Sequence, residues 1–323
     1  MTRQRIFCGL LMLLLAAAPA ALAQGYPARP VRIVVPFPPG GGTDIGTRIF
    51  AQKLQEALAQ PVVIENRAGA SGVVGTELAA KSAPDGYTLM MGNIGTHAIN
   101  VSLFAKLPYD PVRDFAPVSQ VALLPMFLLV HPAVPAKSVA ELIALAKARP
   151  GQINYSSSGA GGMPHVSAEL FRTMAGVQMV HIPYKGGGPA VADLVGGQVQ
   201  VSFATVLESI AHVKAGKLRA LGVSSSKRSA AMPELPTLAE AGLPGYESGS
   251  WLGLYAPAAT PKEIVARLGA ETMRIVRLPD VREKLLQQGA EPVGGTAAEL
   301  AATLQSDIAK YARVLREAGV KPE

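Results

Sequence analysis

The chain has 323 residues and a formal net charge of +7 at pH 7; 49% of its residues are hydrophobic and 16% are charged. This composition allows the chain to bury a large core, and its length is enough for two domains of ordinary size. The basic residues are scattered and are not interleaved with aromatic residues, so we expect no nucleic-acid partner.

The first 23 residues have the features of a secretory signal peptide. Arg3 and Arg5 form a basic start, residues 7–18 an apolar core and residues 21–23 an Ala-x-Ala cleavage site. A membrane anchor is the alternative, but the apolar run is short for a membrane span. Cleavage would also remove Cys8, the one cysteine of the chain. We therefore expect a periplasmic protein without a disulfide, a thiol nucleophile or a cysteine-ligated metal.

After this segment, short apolar strands alternate with amphipathic helices, a pattern that predicts an α/β protein with largely parallel sheets. Strands are predicted at 31–36, 61–66, 88–91, 127–131, 153–156, 179–183, 199–204 and 218–224. Helices are predicted at 44–59, 73–81, 139–148, 163–175, 189–195, 208–215, 262–278, 279–288 and 297–318.

Two stretches, 117–131 and 246–257, are expected to cross between two domains as hinge strands. Domain 1 is then discontinuous and consists of residues 24–122 and 253–323, and domain 2 of residues 123–252 includes the hinge strands. Two crossings permit bending and resist free rotation, as a clamshell binding protein requires. One large domain is the alternative.

The first predicted strand ends in a loop rich in proline and glycine. Because prolines such as Pro39 have no amide hydrogen, Gly40, Gly41, Gly42 and Thr43 supply the free donors. These amides lie at the positive end of the following helix, which predicts an anion site. A simple tight turn is the alternative.

The same arrangement of strand, glycines and helix recurs at residues 154–165. Its hydroxyl and amide donors suit a carboxylate or an ordered water, and the candidates are Ser156, Ser157, Ser158, Gly159 and Gly162. One serine alone would be explained as a helix cap. His165 is interpreted as a helix-start residue that the serine loop orients.

Further candidates follow other strands. Thr205 and Glu208 lie where a strand ends and a helix begins, which is the usual ligand edge of an open α/β sheet. For Glu208, a favourable interaction with the helix dipole is an equal alternative. Tyr184 is a candidate for lining the cleft, and Lys185 is more readily explained as a surface lysine.

The loop at 92–96 is expected to supply another polar wall through Asn93. Motifs of known catalytic chemistry are missing: the chain has no nucleophile elbow, P-loop, zinc-binding H-E-x-x-H or dinucleotide-binding glycine motif. Its five histidines lack metal-ligand spacing. We therefore expect no enzyme, no cofactor and no metal. A secreted serine hydrolase using Ser158 and His165 is the alternative, although no orienting acid is identifiable.

Several longer motifs are similar to those of one protein family. They are YPARPVRIVVPFPPGGGTD at 26–44, APDGY at 83–87, LPYDPVRDFAP at 107–117, PYKGGGPA at 183–190, PELPTLAEAGLP at 233–244 and WLGLYAP at 251–257. On these motifs the chain resembles the Bug family, extracytoplasmic solute receptors of tripartite tricarboxylate transporters.

The resemblance implies a two-domain, type II periplasmic-binding-protein fold with two hinge strands. It also implies a small ligand whose carboxylate is held by the loop from Phe37 to Thr43 and the loop from Ser156 to Gly162, often through ordered waters. Membrane transporter subunits are the implied protein partners. We expect the receptor to be a monomer.

One departure concerns the residues after Phe203. Relatives often have an acid and an asparagine there, whereas this chain has Ala204 and Thr205. Loss of the acid argues against an amino-acid ligand and for a neutral or purely acidic ligand, such as a dicarboxylate or an aromatic acid, although Glu208 could substitute for it. A receptor that serves a membrane sensor kinase needs the same clamshell and remains the alternative function.

Overall fold

The computed structural model describes residues 25–317, so the predicted signal peptide lies outside the described residues. In chain order the strands are β1 (Val31–Val35), β2 (Val62–Asn66), β3 (Thr88–Asn93), β4 (Phe115–Leu124), β5 (Met126–Val130), β6 (Asn154–Ser157), β7 (Val180–Pro183), β8 (Val201–Thr205), β9 (Arg219–Val223), β10 (Ser250–Pro257) and β11 (Glu291–Pro292).

The helices alternate with these strands. They are α1 (Gly42–Leu58), α2 (Val73–Ala80), α3 (Asn100–Leu103), α4 (Val139–Ala148), α5 (Met163–Ala175), α6 (Gly187–Val195), α7 (Val206–Lys214), α8 (Lys262–Arg277), α9 (Pro279–Gln287) and α10 (Ala297–Glu317). Each predicted helix and strand is present within a few residues of its predicted limits. Among the described residues, no helix is both long enough and apolar enough to cross a membrane.

The strands form two sheets. The first has the order β11-β4-β10-β3-β1-β2 and the second the order β7-β6-β8-β5-β9. We call each sheet with its helices a lobe. The chain passes from the first sheet to the second at Pro125, between β4 and β5, and returns between β9 and β10. The expected domain limits at 122/123 and 252/253 lie inside β4 and β10.

The prediction of largely parallel sheets is wrong, because both sheets are mixed. Strand β1 is parallel to β2 and β3, and β6 is parallel to β7 and β8. Strands β4 and β10 pair antiparallel from Phe115 opposite Pro257 to Leu124 opposite Ser250, and β5 is antiparallel to β8 and β9. The chain leaves the first sheet along β4 and re-enters it along β10, so these two neighbouring strands run in opposite directions.

Helix α1 illustrates why these elements form. Ile49, Phe50, Leu54 and Leu58 recur at helical spacing and are buried on one face. That face packs against the first sheet and α8, and each buried large side chain contributes about 1.5–3 kcal/mol. The helix ends at Ala59, whose φ of +50° is left-handed.

The lobes share part of their core. One buried apolar cluster includes Val34 and Met90 of the first sheet together with Leu128 and Tyr155 of the second. The region around the crossings is therefore packed, and the site between the lobes lies on a supported base.

Candidate functional site

A pocket with about 590 Å³ of empty space, part of it open to solvent, lies between the two lobes. Its lining residues come from both lobes and from the crossings: Phe37, Gly41, Gly42, Thr43, Ser71, Asn93, Gly95, Leu124, Met126, Ser158, Gly162, Met163, Pro164, Gly187, Thr205, Glu208 and Ser250.

The loop before α1 forms part of the first-lobe wall, but two of its predicted donors are already engaged. Gly40 donates its N–H to Asp44 Oδ2 over 3.0 Å, and Gly42 donates to Glu208 Oε2 over 2.9 Å. Pro39 and Gly40 are exposed and lie outside the pocket lining. The anion site predicted from four free amides is therefore smaller than the sequence indicates.

Asn93 is placed by a turn that the sequence did not predict. Strand β3 runs through Asn93 and leads into a π-helix at Gly95–Ile99, where a loop was expected. Thr96 donates its N–H to Asn93 Oδ1, and Asn93 Nδ2 donates to Thr43 Oγ1 over 3.0 Å. These bonds fix the amide of Asn93 against the start of α1.

Ser71 also lines the pocket and was missed by the sequence analysis. Its hydroxyl donates to the carbonyl of Ala160 in the second lobe over 2.8 Å. Ser71 has a φ of +51° and lies between Gly69 and Gly72, so a short glycine-flanked loop after β2 was the available signal. Together with the bond from Gly42 to Glu208, this contact joins the two lobes.

The loop before α5 presents Ser158 and Gly162 to the pocket, next to Met163 and Pro164. Ser156 and Ser157 are fully buried behind it. Ser157 Oγ donates to the Gly159 carbonyl over 3.0 Å and accepts the Gly159 N–H. Ser157 therefore holds the shape of the loop and, like Ser156 and Gly159, lies outside the pocket lining.

Two stacked imidazoles support this loop from behind. The rings of His165 and His181 are 4.0 Å apart and nearly parallel. His165 Nδ1 accepts the N–H of Gly161 over 3.0 Å, and His181 Nε2 is 2.7 Å from Ser157 Oγ. His165 is thus a support for the loop outside the pocket lining, and His181 is a second support that the sequence did not single out.

Burial controls the charge of both rings. It lowers the pKa of His165, and burial together with the nearby His165 charge lowers the pKa of His181 to about 4. Both rings are therefore neutral at neutral pH. The serine beside an imidazole is Ser157 and not Ser158, so the geometry differs from the Ser158–His165 pair of the hydrolase alternative.

The remaining second-lobe candidates separate into two groups. Thr205 and Glu208 line the pocket. Tyr184 does not, because its hydroxyl donates to Asp193 Oδ2 over 2.7 Å; burial, followed by the Asp193 charge, raises the Tyr184 pKa to about 12. Lys185 is exposed and also lies outside the lining.

Glu208 is the one charged side chain among the described residues that line the pocket. It accepts the N–H of Thr205 at Oε1 over 2.8 Å and that of Gly42 at Oε2. Burial raises the pKa of Glu208, and the two amides act in the opposite direction. Within residues 25–317, no three histidine, cysteine, aspartate or glutamate residues are grouped so that they could hold a metal.

Comparison with known proteins identifies the family. A family model described as "Tripartite tricarboxylate transporter family receptor" matches residues 47–320. The chain belongs to this family. The receptor is 39% identical to Protein BugT of Bordetella pertussis over 322 residues, and this alignment covers 99% of each chain.

Solved structures agree with this assignment. R. palustris Rpa4515 with adipate is 40% identical, has a TM-score of 0.91 and covers 92% of the receptor and 100% of its own chain. MatC from Rhodopseudomonas palustris with bound malate is 36% identical and has a TM-score of 0.85. This match covers 90% of the receptor and 100% of the MatC chain. The predicted two-domain clamshell of a periplasmic binding protein is confirmed.

Proposed function

We propose that the receptor captures a small organic acid between its lobes in the periplasm and delivers it to a tripartite tricarboxylate-type transporter. The observation that carries this proposal is the pocket between the lobes, where hydroxyl and amide groups of both lobes converge beside apolar side chains. Two relatives of similar structure, one with adipate and one with bound malate, support an acid as the ligand class.

The carboxylate binds where uncharged donors meet. Thr43 and Asn93 supply donors from the first lobe, and Ser158 supplies one from the second. A hydrogen bond to a charged group contributes about 1.5–3 kcal/mol, so a few such donors hold a carboxylate without an arginine.

The carbon chain of the ligand lies against the apolar part of the pocket. Phe37, Leu124, Met126 and Met163 line this part and come from the first-lobe loop, the crossing and the second lobe. Such side chains accommodate the carbon skeleton, whereas the polar groups fix its orientation.

Closure couples binding to transport. The lobes already touch through the Gly42–Glu208 and Ser71–Ala160 hydrogen bonds, which flank residues of the pocket. A ligand between the lobes adds contacts to both and shifts the population towards the closed form. The closed form, as a monomer, presents both lobes together to the membrane subunits.

A thermal-shift screen and calorimetry test the capture of an acid. We expect adipate, malate or an aromatic carboxylate to raise the melting temperature, since a ligand specific for the folded state stabilises it. Ser158→Ala and Asn93→Ala should each weaken binding, whereas Ser226→Ala, at an exposed serine, should not. A shift from neutral or cationic compounds alone would contradict the proposal.

Uptake measurements test delivery. A deletion strain should lose uptake of the acid that binds and regain it with the wild-type gene. Loss of gene induction without loss of uptake would instead favour the receptor of a sensor kinase. Light scattering with and without the acid tests whether the receptor is a monomer.

A further inference from the structure

We propose that Glu208 and Thr205 form a subsite that selects the charge of the ligand. In this proposal the receptor prefers monocarboxylates whose second polar group is a hydrogen-bond donor, such as a hydroxyl or ammonium group, over fully ionised dicarboxylates. The inference rests on the proposed function, because it specifies which organic acids enter the same pocket.

The first reason is that the Glu208 carboxylate is fixed as an acceptor. Oε1 accepts the Thr205 N–H over 2.8 Å and Oε2 accepts the Gly42 N–H over 2.9 Å. Each carboxylate oxygen has two acceptor positions, so one position on each oxygen remains. A hydroxyl or ammonium group of a ligand can use these positions, whereas a carboxylate cannot.

The second reason is that the carboxylate has little freedom to move away. A Cβ atom built on Gly187 would lie 2.1 Å from Glu208 Oε2, and one built on Gly41 would lie 3.6 Å from it. The side chain is thus packed between the beginnings of α6 and α1 and belongs to the first turn of α7. The positive ends of these helices act on Glu208 rather than on a ligand anion.

The third reason is the hydroxyl beside it. Thr205 is buried and lines the pocket, and its Oγ1 faces the backbone of Glu208 in the capping box that begins α7. A Cβ atom on Gly42 would lie 2.3 Å from this oxygen, which places it at the meeting point of the lobes. A hydroxyl oxygen has two acceptor positions, so a donor group of a ligand can use the second one.

The fourth reason is the charge of the pocket. The described residues that line it include no lysine, arginine or histidine to balance Glu208, and the two amides that donate to Glu208 favour its ionised form against the effect of burial. A monocarboxylate adds one negative charge, which the uncharged donors accept, and a dicarboxylate adds a second charge without a counter-charge. At the effective dielectric constant of a protein surface, this repulsion weakens binding by about ten-fold or more.

Calorimetry on two matched series of acids tests the proposal. The first series is hexanoate, 6-hydroxyhexanoate, 6-aminohexanoate and adipate, which differ in one terminal group, and the second is benzoate, 4-hydroxybenzoate and terephthalate. For the wild type at pH 7.5, we expect the Kd of the hydroxy or amino acid to be at least about ten-fold below that of the dicarboxylate of its series.

Glu208→Gln removes the charge and keeps the size of the side chain. We expect the preference for the donor-bearing acid to shrink to within about three-fold, since the repulsion is gone. Thr205→Val should weaken the binding of the hydroxy acids more than the binding of hexanoate or benzoate. Glu234→Gln, which removes an exposed charge elsewhere, should leave each ratio as in the wild type, and thermal melts confirm that the variants fold.

The outcomes separate the inference from the proposed function. If dicarboxylates bind the wild type as tightly as the hydroxy acids, and Glu208→Gln does not alter the ratio, the role of Glu208 is wrong and the carboxylate receptor stands. If no acid of either series binds any variant, the proposed function fails and the inference fails with it. A general loss of affinity at unchanged ratios in Glu208→Gln would assign Glu208 to lobe closure alone and overturn the inference.

Discussion

The loop before α1 and the loop before α5 have the same order of strand, glycines and helix, yet they use their donors differently. In the first loop, carboxylates of the protein accept hydrogen bonds from two of the backbone amides: Asp44 accepts from Gly40 and Glu208 accepts from Gly42. In the second, Ser157 and two imidazoles hold the loop from behind while Ser158 faces the pocket. The capacity of a loop to bind an anion thus depends on which donors its folded surroundings leave free.

The largest expected effect comes from disturbing the first loop at Gly42. A Cβ atom there would lie 2.3 Å from Thr205 Oγ1 across the cleft, so Gly42→Ala prevents the lobes from closing fully. We expect the affinity for an acid to fall by about ten-fold or more, because misplaced contacts lose their hydrogen bonds. Calorimetry measures this change.

Gly196→Ala is the matched control, because its new Cβ would meet neighbouring atoms only at 3.5 Å or beyond. Gly42→Ala should melt within a few degrees of the wild type, since Gly42 lies in the first turn of α1. Undiminished affinity in Gly42→Ala would show that the contact between Gly42 and Thr205 is not part of the closed, ligand-binding form.

Acidification tests the second loop. The pKa of His181 is about 4 in the folded protein and 6.5 in a model compound, because burial and then the His165 charge disfavour the imidazolium. The unfolded chain therefore binds more protons between these pH values. This contribution to the free energy of unfolding is complete above pH 6.5 and is lost as the pH falls towards 4.

We expect roughly 1–3 kcal/mol of stability to be lost through His181 on acidification. Urea denaturation at pH 7.5 and 4.5 measures it. His181→Gln should lose less stability than the wild type on acidification. The control variant His212→Gln should lose as much stability as the wild type. Equal losses in His181→Gln and the wild type would mean that other groups, such as the buried His97, account for the acid sensitivity.

The smallest effect is expected at the second contact between the lobes. Ser71→Ala removes the hydroxyl that donates to the Ala160 carbonyl over 2.8 Å. A hydrogen bond of this kind contributes about 0.5–1.5 kcal/mol, so we expect an acid to bind a few-fold more weakly. Titration calorimetry measures the change, with Ser226→Ala as the control; an affinity drop as large as that of Gly42→Ala would place the carboxylate directly on Ser71.

The sequence predicted the elements of the site better than its contacts. Both glycine loops and their helices lie where the periodicity placed them, and nine of the predicted site residues line the pocket: Phe37, Gly41, Gly42, Thr43, Asn93, Ser158, Gly162, Thr205 and Glu208. Ser71 and Ser250 were missed because they reach the pocket from a short left-handed turn and from the start of a crossing strand. The glycines beside Ser71 indicate a turn but not a contact with a ligand, and Ser250 has no such local pattern.

By itself the sequence determined the alternation of strands and helices, the two glycine loops and the family to which the receptor belongs. Hydrophobic periodicity and turn residues act over a few positions, so they can be read locally. The tertiary structure alone decided which donors remain free. Gly42 and Glu208 are 166 residues apart in the chain, and a hydrogen bond between such residues exists only because the fold brings two helix beginnings together across the cleft.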